Sequence, residues 1–335
     1  MIRGLKTMAA LAATLLLAAC QDDYQPVEPP KPGVSSPPEK VEKVSRNRIS
    51  DQIIHVAFDG SRSLSVWQDT LDFALENDVK YTFFVVGTHL LADDLATLYD
   101  PPRYKPGRSD VSFGGTKDEV ASRLQMLRRA YREGHEIAAH ANGHWDGSTF
   151  TYDEWASELA QFKKFLTQAY EINGIENPDP AEWRRLTESV IGFRAPLLAQ
   201  NAAMYQALAD AGYKYDTSQV LRLVTAPDYQ ENGVVIYPLH SLPTPRGRTI
   251  TMDYNFYYLD AGRRDGAGQN MLNAYQDHLN LARGMGNAPV QIGHHFSRWN
   301  GGQYWWALKQ FIAANCDTPG TRCMTFADRY RLETR

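Results

Sequence analysis

Residues 53–61 read IIHVAFDGS, an apolar run that only His55 interrupts and that stops at Asp59-Gly60-Ser61. Its length and its β-branched and aromatic side chains predict a buried strand, and Asp-Gly-Ser predicts a tight turn directly after it. A second such segment, YTFFVV at residues 81–86, stops at Gly87. Residues 66–75, between the two, carry apolar side chains at helical spacing. The order strand, helix, strand favours a parallel sheet.

The same alternation continues along the chain. Further strands are predicted at residues 135–139, 190–193, 234–237, 249–253 and 290–292, and helices at 119–132, 152–170, 202–211, 271–283 and 304–314. Asp59, His140, Arg194 and His294 each follow a predicted strand within one or two residues. Because the carboxyl ends of parallel strands meet at one edge, these side chains are expected to share a cleft of an α/β sheet or barrel.

The N-terminus has the features of an export signal. Arg3 and Lys6 precede an apolar run that is too short to span a bilayer, and residues 17–20 read LAAC, which resembles the lipobox of bacterial lipoproteins. This predicts a signal peptide at residues 1–19 and a lipid on Cys20; the alternative is an ordinary signal peptide with an incidental cysteine. Gln21 after Cys20 favours the outer membrane, on its periplasmic side.

Residues 20–48 are rich in Pro, Glu, Lys and Ser, which predicts an extended tether between the membrane and a domain at residues 49–335. The composition of the whole chain, 43% hydrophobic and 22% charged with a formal net charge of -4, gives no reason to expect a nucleic-acid partner. Cys316 and Cys323 flank a turn-forming segment and are expected to form a disulfide in an oxidising compartment. A metal site at this pair would need two more ligands nearby.

Two imidazoles stand four residues apart in His140-Ala141-Asn142-Gly143-His144. In a helical turn they would point the same way and reach one ion. An exposed turn that happens to hold two histidines is the other interpretation. The position just beyond a predicted strand favours the metal site.

Six segments together resemble the motifs of the polysaccharide deacetylases, carbohydrate esterase family four, and they keep the order of that family. They are residues 57–60 (AFDG), 81–87 (YTFFVVG), 133–144 (EGHEIAAHANGH), 193–196 (FRAP), 215–218 (YDTS) and 290–294 (VQIGH). The resemblance implies a distorted parallel barrel with fewer strands than a full (β/α)8 barrel. It also implies removal of acetyl groups from an acetylated polysaccharide, assisted by one divalent metal, with zinc expected.

Site roles follow from the same resemblance. His140 and His144 are expected as metal ligands, Asp59 as the base that activates water, and His294 as the acid that protonates the leaving group. Arg194 is expected to orient Asp59, unless it is an ordinary buried ion-pair partner. Asp216 is expected to fix the tautomer of His294, unless it only caps its own turn. His295, adjacent to His294, is the alternative acid.

Two further contacts are expected around the reacting acetyl group. The backbone N–H of Leu197 would help to hold the oxyanion. Among the aromatic residues near the C-terminus, Trp299 is the plausible substrate contact, whereas at least half of Tyr304, Trp305 and Trp306 should belong to the core.

The chain departs from the family at Gly60, where a second aspartate normally ligates the metal. Three hypotheses follow: a carboxylate from elsewhere, with Asp146 and Asp253 as candidates, completes the shell; Asp59 itself is the third ligand; or the protein binds glycan without turning it over. The retained polar residues favour an enzyme, since a site without function has no physical reason to keep so many costly polar groups together.

Overall fold

The computed structural model describes residues 42–43, 49–221, 229–261, 263, 265–316 and 318–334. The predicted signal peptide, Cys20 and nearly all of the predicted tether lie outside the described residues. Among the residues that are described, no helix is both long enough and apolar enough to cross a membrane.

The described strands, in chain order, are β1 (Glu42–Lys43), β2 (Gln52–Asp59), β3 (Thr82–Val85), β4 (Glu136–Ala139), β5 (Gly192–Phe193), β6 (Tyr215–Asp216), β7 (Val220–Leu221), β8 (Tyr229–Glu231), β9 (Val234–Ile236), β10 (Leu239–Thr244), β11 (Gly247–Ile250), β12 (Val290–His295) and β13 (Thr321–Cys323). The main sheet has the order β1-β8-β9-β6-β5-β4-β3-β2-β12, and it is parallel from β9 to β12. A smaller sheet has the order β11-β10-β7.

The described α-helices are α1 (Leu64–Glu76), α2 (Lys117–Arg132), α3 (Tyr152–Thr167), α4 (Ala169–Ile172), α5 (Pro180–Glu188), α6 (Ala202–Asp210), α7 (Asp253–Asp260), α8 (Ala267–Gly284), α9 (Gln303–Asn315) and α10 (Phe326–Glu333). Short 3-10 helices occupy Gly87–Leu90, Asp93–Leu98, Pro196–Leu198 and Trp299–Gly302. The α/β fold with a curled parallel sheet, a partial barrel, confirms the predicted class.

Strand β2 shows how the sheet separates two environments. Successive side chains of a strand point to opposite faces. Val56 and Phe58 pack in the main core with the helices, whereas Ala57 packs in a second cluster with Tyr215 and Phe326 inside the curled sheet. Asp59 follows Ala57 at an interval of two, so it lies on this inner face, where the strand ends.

Strand β12 completes the sheet beside β2 in parallel register. Its residues pair one to one with those of β2, so that His294 lies opposite Phe58 and His295 lies opposite Asp59. Val290 and Ile292 belong to the main core with the helices. The alternation of β12 therefore places His294 on the helix-covered face and His295 on the inner face.

Several described elements are absent from the sequence prediction, among them β6, β7, β8, β10, β13, α5, α7 and α10. Two of these elements, α7 and α10, bear on the site and on the sheet. Asp253 was expected at the end of a strand, but it is the first residue of helix α7. Helix α10 closes the amino-terminal end of the curled sheet. There the Ala327 N–H donates to Glu136 Oε2 at 2.9 Å, and Tyr237 donates to Glu333 at 2.8 Å.

A disulfide fastens this C-terminal region. Cys316 follows α9 and is bonded to Cys323 in β13, with their Cα atoms 5.4 Å apart. The predicted disulfide is confirmed. Strand β13 in turn pairs with residues 52–54 of β2, on the same strand whose other end carries Asp59.

Candidate active site

A buried ion pair lies at the carboxyl edge of the sheet. Arg194, directly after β5, donates from Nη1 to Asp59 Oδ1 at 2.6 Å and from Nε to Thr217 at 2.8 Å, and its guanidinium lies 4.2 Å from the centre of the Phe84 ring. Arg194 is 0% and Asp59 4% exposed. Burial raises the pKa of Asp59, but the Arg194 guanidinium, with His140 and His295, more than offsets it and holds that pKa below its ordinary value. Asp59 is therefore an anion at neutral pH.

The two histidines of residues 140–144 lie together beside this ion pair. Their ring centres are 5.4 Å apart. The expected helical turn is wrong: the segment is a loop in which Ala141 and His144 adopt φ values of 50° and 60°. The left-handed backbone at Ala141 and His144, rather than helical spacing, brings the rings together.

Both rings are held neutral. Burial lowers the pKa of His140, and it lowers the pKa of His144 to about 3. His140 Nδ1 lies 2.8 Å from the carbonyl oxygen of Arg194, which can only accept, so Nδ1 carries the proton and Nε2 presents its lone pair. His144 Nδ1 is buried without a hydrogen-bond partner among the described residues. Neutral imidazoles with free lone pairs are the form that ligates metal ions.

The histidine that faces this cleft is His295. Its pKa is lowered by burial but raised more by the Asp253 carboxylate, and Asp59 contributes to the same rise. His295 Nδ1 lies 2.7 Å from Asp253 Oδ1, while the His295 backbone N–H donates to Asp253 Oδ2 at 3.0 Å. Asp253 thus holds both the ring and the backbone of His295, leaving Nε2 for a reacting group. The side chain of His295 is 26% exposed, that of Asp253 only 2%.

His294 occupies a different environment from the one expected. It is 2% exposed, its ring centre lies 6.1 Å from that of Phe58, and its Nε2 is 3.4 Å from the Tyr275 hydroxyl on α8. Burial lowers its pKa to about 4. Alternation along β12 places His294 towards the helices and His295 on the inner face with Asp59, so the structure favours His295, the alternative acid, although His294 Nδ1 also lies 3.6 Å from Asp253 Oδ2. The order Gln291, Gly293, His295 on one face carried this signal in the sequence.

Asp216 does not contact His294, and the expected pairing is corrected here too. Its carboxylate accepts from the Ser218 N–H at 2.9 Å, from the Ser218 hydroxyl at 2.5 Å and from Tyr205 at 3.0 Å. Burial raises its pKa to about 6. Asp216 caps its own turn, which was the alternative interpretation, and it orders the loop whose Ser218 hydroxyl accepts from the Ala195 N–H at 2.7 Å. The carboxylate that pairs with His295 is that of Asp253, which was not expected in this role.

Leu197 lies in a strained loop after Arg194. Leu197 and Leu198 have φ values of 55° and 57°, two successive non-glycine residues in the left-handed region. Such strain is kept where the surrounding structure over-determines it, often at functional sites. Trp299 lies beside His295, with a distance of 5.0 Å between the two ring centres. Tyr304 and Trp305 are buried and Trp306 is exposed.

The family model for polysaccharide deacetylases matches residues 46–215, just over half of the chain. With the curled parallel sheet and the polar residues at its carboxyl edge, this match establishes that the chain belongs to the polysaccharide deacetylase family. It is an enzyme of this class, a hydrolase that removes acetyl groups from polysaccharides. Curated protein sequences contain no significant match to the chain.

A solved structure shows the same fold. A Mycobacterium smegmatis protein described as a polysaccharide deacetylase is 16% identical; the match covers 87% of this chain and 94% of that one, with a TM-score of 0.55. The chitin deacetylase of Colletotrichum lindemuthianum is 15% identical over 83% of this chain and 87% of its own, with a TM-score of 0.48.

The family is generally dependent on a divalent metal, and the described residues fit such an ion only in part. His140 and His144 fit as ligands, because both are neutral and His140 offers a free Nε2. Among the described residues, no three His, Cys, Asp or Glu side chains are grouped to hold a metal. Asp253 is engaged by His295, and the exposed Asp146 accepts from the Ser148 N–H at 2.9 Å. Gly60 leaves the position of the family's second aspartate without a carboxylate.

Proposed function

We propose that this enzyme removes N- or O-linked acetyl groups from a cell-envelope or extracellular polysaccharide. The observation that carries the proposal is the convergence of an anionic Asp59, a neutral imidazole pair and the Asp253–His295 pair at one edge of the sheet. Acetyl hydrolysis needs a base for water and an acid for the departing nitrogen or oxygen. Asp59 and His295 have the chemistry of these two roles. Release of acetate from acetylated glycans by the purified protein tests the proposal.

Four further residues assist Asp59 and His295 in these roles. Arg194 occupies Oδ1 of Asp59, which leaves Oδ2 to accept the proton of the attacking water. Asp253 accepts from Nδ1–H of His295 and favours the imidazolium form, in which Nε2 also carries a proton that it donates to the leaving group. The N–H of Leu197 is a candidate donor to the oxyanion, and Trp299 is a candidate contact for the sugar.

Asp253→Asn is expected to change the pH dependence of the reaction. The carboxylate raises the pKa of His295 and so keeps the acid protonated to higher pH. Without the charge, that pKa falls, and the alkaline limb of the kcat profile moves to lower pH with a lower maximum. The measurement is kcat for acetate release between pH 5 and pH 10. An alkaline limb at the wild-type position would contradict the assignment of His295 as the acid.

We propose that His140 and His144 hold one divalent ion, zinc. When bound, the ion lowers the pKa of a water ligand and polarises the acetyl carbonyl. His140→Ala is expected to abolish metal binding, because one imidazole cannot retain the ion. Metal content after dialysis, measured on purified protein, tests this independently of activity. His278→Ala is the matched control, since His278 is a buried histidine on α8 whose Nε2 lies 3.2 Å from His240 Nδ1, outside this pair. Equal metal content in all three proteins would contradict the site.

The proposed location is the periplasmic side of the outer membrane, through a lipid on Cys20. The lipobox-like LAAC sequence and the proline-rich segment after it support this. Native protein is expected in the membrane fraction, and Cys20→Ala is expected to block lipidation and leave the protein unprocessed or released. Fractionation of cells expressing each form, with mass spectrometry of the N-terminus, measures it. Two soluble forms cleaved at one site would show an ordinary signal peptide.

A further inference from the structure

Three aromatic side chains form a partly exposed surface beside His295. We call Tyr254, Tyr257 and Trp299 the aromatic wall. The ring centre of Trp299 lies 4.9 Å from that of Tyr254 and 5.9 Å from that of Tyr257. All three side chains are intermediate in exposure, unlike the fully buried aromatic residues of the core. The wall therefore presents an apolar, solvent-accessible surface next to the acid of the proposed reaction.

The rings of Tyr257 and Trp299 pack in an offset arrangement. They are nearly parallel, with an interplanar angle of 23° and a distance of 5.9 Å between ring centres, within the range of offset-stacked aromatic pairs. In an offset stack each ring overlaps only part of the other, so the partial exposure of both side chains leaves apolar ring area for a ligand whose own face is apolar.

The aromatic wall has a fixed position relative to His295. Tyr254 and Tyr257 lie in the first turns of α7, whose first residue is Asp253, the partner of His295. Trp299 is carried by a tight segment in which Asn300, Gly301 and Gly302 have φ values of 57°, 67° and 79°. Asn300 is 7% exposed and donates to the carbonyl of residue 263 at 2.9 Å. The backbone therefore fixes the position of the wall, and of a ligand bound to it, relative to His295.

We propose that the aromatic wall binds the pyranose ring that carries the acetyl group. This inference rests on the proposed function and specifies the ligand of the same site. The C–H face of a pyranose is apolar, and it packs on aromatic rings at a carbon–carbon distance of about 4 Å. The centres of Trp299 and His295 are 5.0 Å apart, so a substituent of the stacked sugar lies within reach of His295. The wall selects a sugar ring and excludes acetyl esters that lack one.

Binding to an inactive background separates recognition from turnover. In a His295→Gln protein, the tetramer of N-acetylglucosamine and an acetylated xylotetraose are titrated calorimetrically. Trp299→Ala and Tyr257→Ala are each expected to weaken binding of the better ligand by about tenfold. Tyr258→Ala is the matched control, since Tyr258 is on the same helix but 56% exposed and outside the wall, and it should bind as the parent does. Trp299→Phe should restore most of the affinity, and equal thermal unfolding excludes a folding defect.

Two results overturn the inference: affinity that is unchanged in Trp299→Ala and Tyr257→Ala, or no binding of either oligosaccharide by the parent protein. In the active background, the wall variants are expected to raise KM by about tenfold with kcat within about threefold of wild type. If binding depends on the wall but wild-type protein releases no acetate, the proposed function fails while the sugar site stands.

Discussion

Replacing His295 by alanine is expected to lower kcat for acetate release by about 10²–10⁴, the usual contribution of one general acid. The reason is geometric: His295 lies opposite Asp59 across the β2–β12 pair and is held by Asp253. The proposed metal ligands, His140 and His144, are untouched, so metal content should match that of the wild type. Steady-state kinetics on an acetylated oligosaccharide, with metal analysis of the same samples, measures both quantities.

The adjacent histidine provides the matched control. His294→Ala removes a buried ring on the helix-covered face and is expected to lower the free energy of unfolding by about 1–3 kcal/mol. Its kcat should fall by less than that of His295→Ala, because the His294 ring lies on the helix-covered face and reaches the site only through Asp253, whose Oδ2 is 3.6 Å from His294 Nδ1. If His294→Ala instead lost more activity than His295→Ala, then the acid would be His294, as the motif comparison first suggested.

Arg194→Met is expected to destabilise the fold by about 3–5 kcal/mol, because it leaves the buried Asp59 carboxylate without its partner. Both side chains are almost fully buried, and the Nη1–Oδ1 distance is 2.6 Å. Activity should also fall by at least about 10², since Asp59 would no longer be held as an oriented anion. Urea unfolding monitored by fluorescence gives the stability, and acetate release gives the rate.

The double variant and the pH dependence separate charge from packing. Asp59→Asn with Arg194→Met removes both charges, so it should be more stable than Arg194→Met alone. The pKa of Asp59 is depressed in the folded wild type, so the pair contributes stability above the usual carboxylate pKa and loses it as pH falls through the folded value. The difference between Arg194→Met and wild type should therefore shrink in acid. A constant difference at all pH values would show that the guanidinium acts only by packing, for example on Phe84.

Local patterns predicted the parallel strands well because buried strands are apolar runs that end abruptly. The positions of Asp59, His140 and Arg194 at strand ends followed from these runs alone. The histidine that faces the cleft was harder to predict, since a one-residue choice between His294 and His295 depends on which face of β12 is inward. Gln291 and Gly293, which are polar and small, indicate that face. They do so only when β12 is compared with β2, in which Ala57 and Asp59 share the inner face.

Other features depend on contacts between distant segments, which no local pattern specifies. Asp253 was expected at the end of a strand, and its pairing with His295 joins residues 42 positions apart in the chain. The loop of residues 140–144 forms through left-handed backbone at Ala141 and His144, a conformation that is uncommon for residues other than glycine. Helix α10 is short and polar, and its role in closing the sheet comes from its contact with Glu136, 191 residues earlier.

The C-terminal closure of the sheet bears on where the folding unit begins and ends. The matched segment, residues 46–215, holds Asp59, both loop histidines and Arg194, yet β12, β13 and α10 all lie beyond it. Strand β2 would have β12 missing from one edge and β13 from the other, and Glu136 would lose a backbone donor. We therefore expect that the most recognisable half of the chain does not fold as an autonomous unit. The core of the whole domain depends on contacts that span more than 190 residues, and such non-local contacts slow folding.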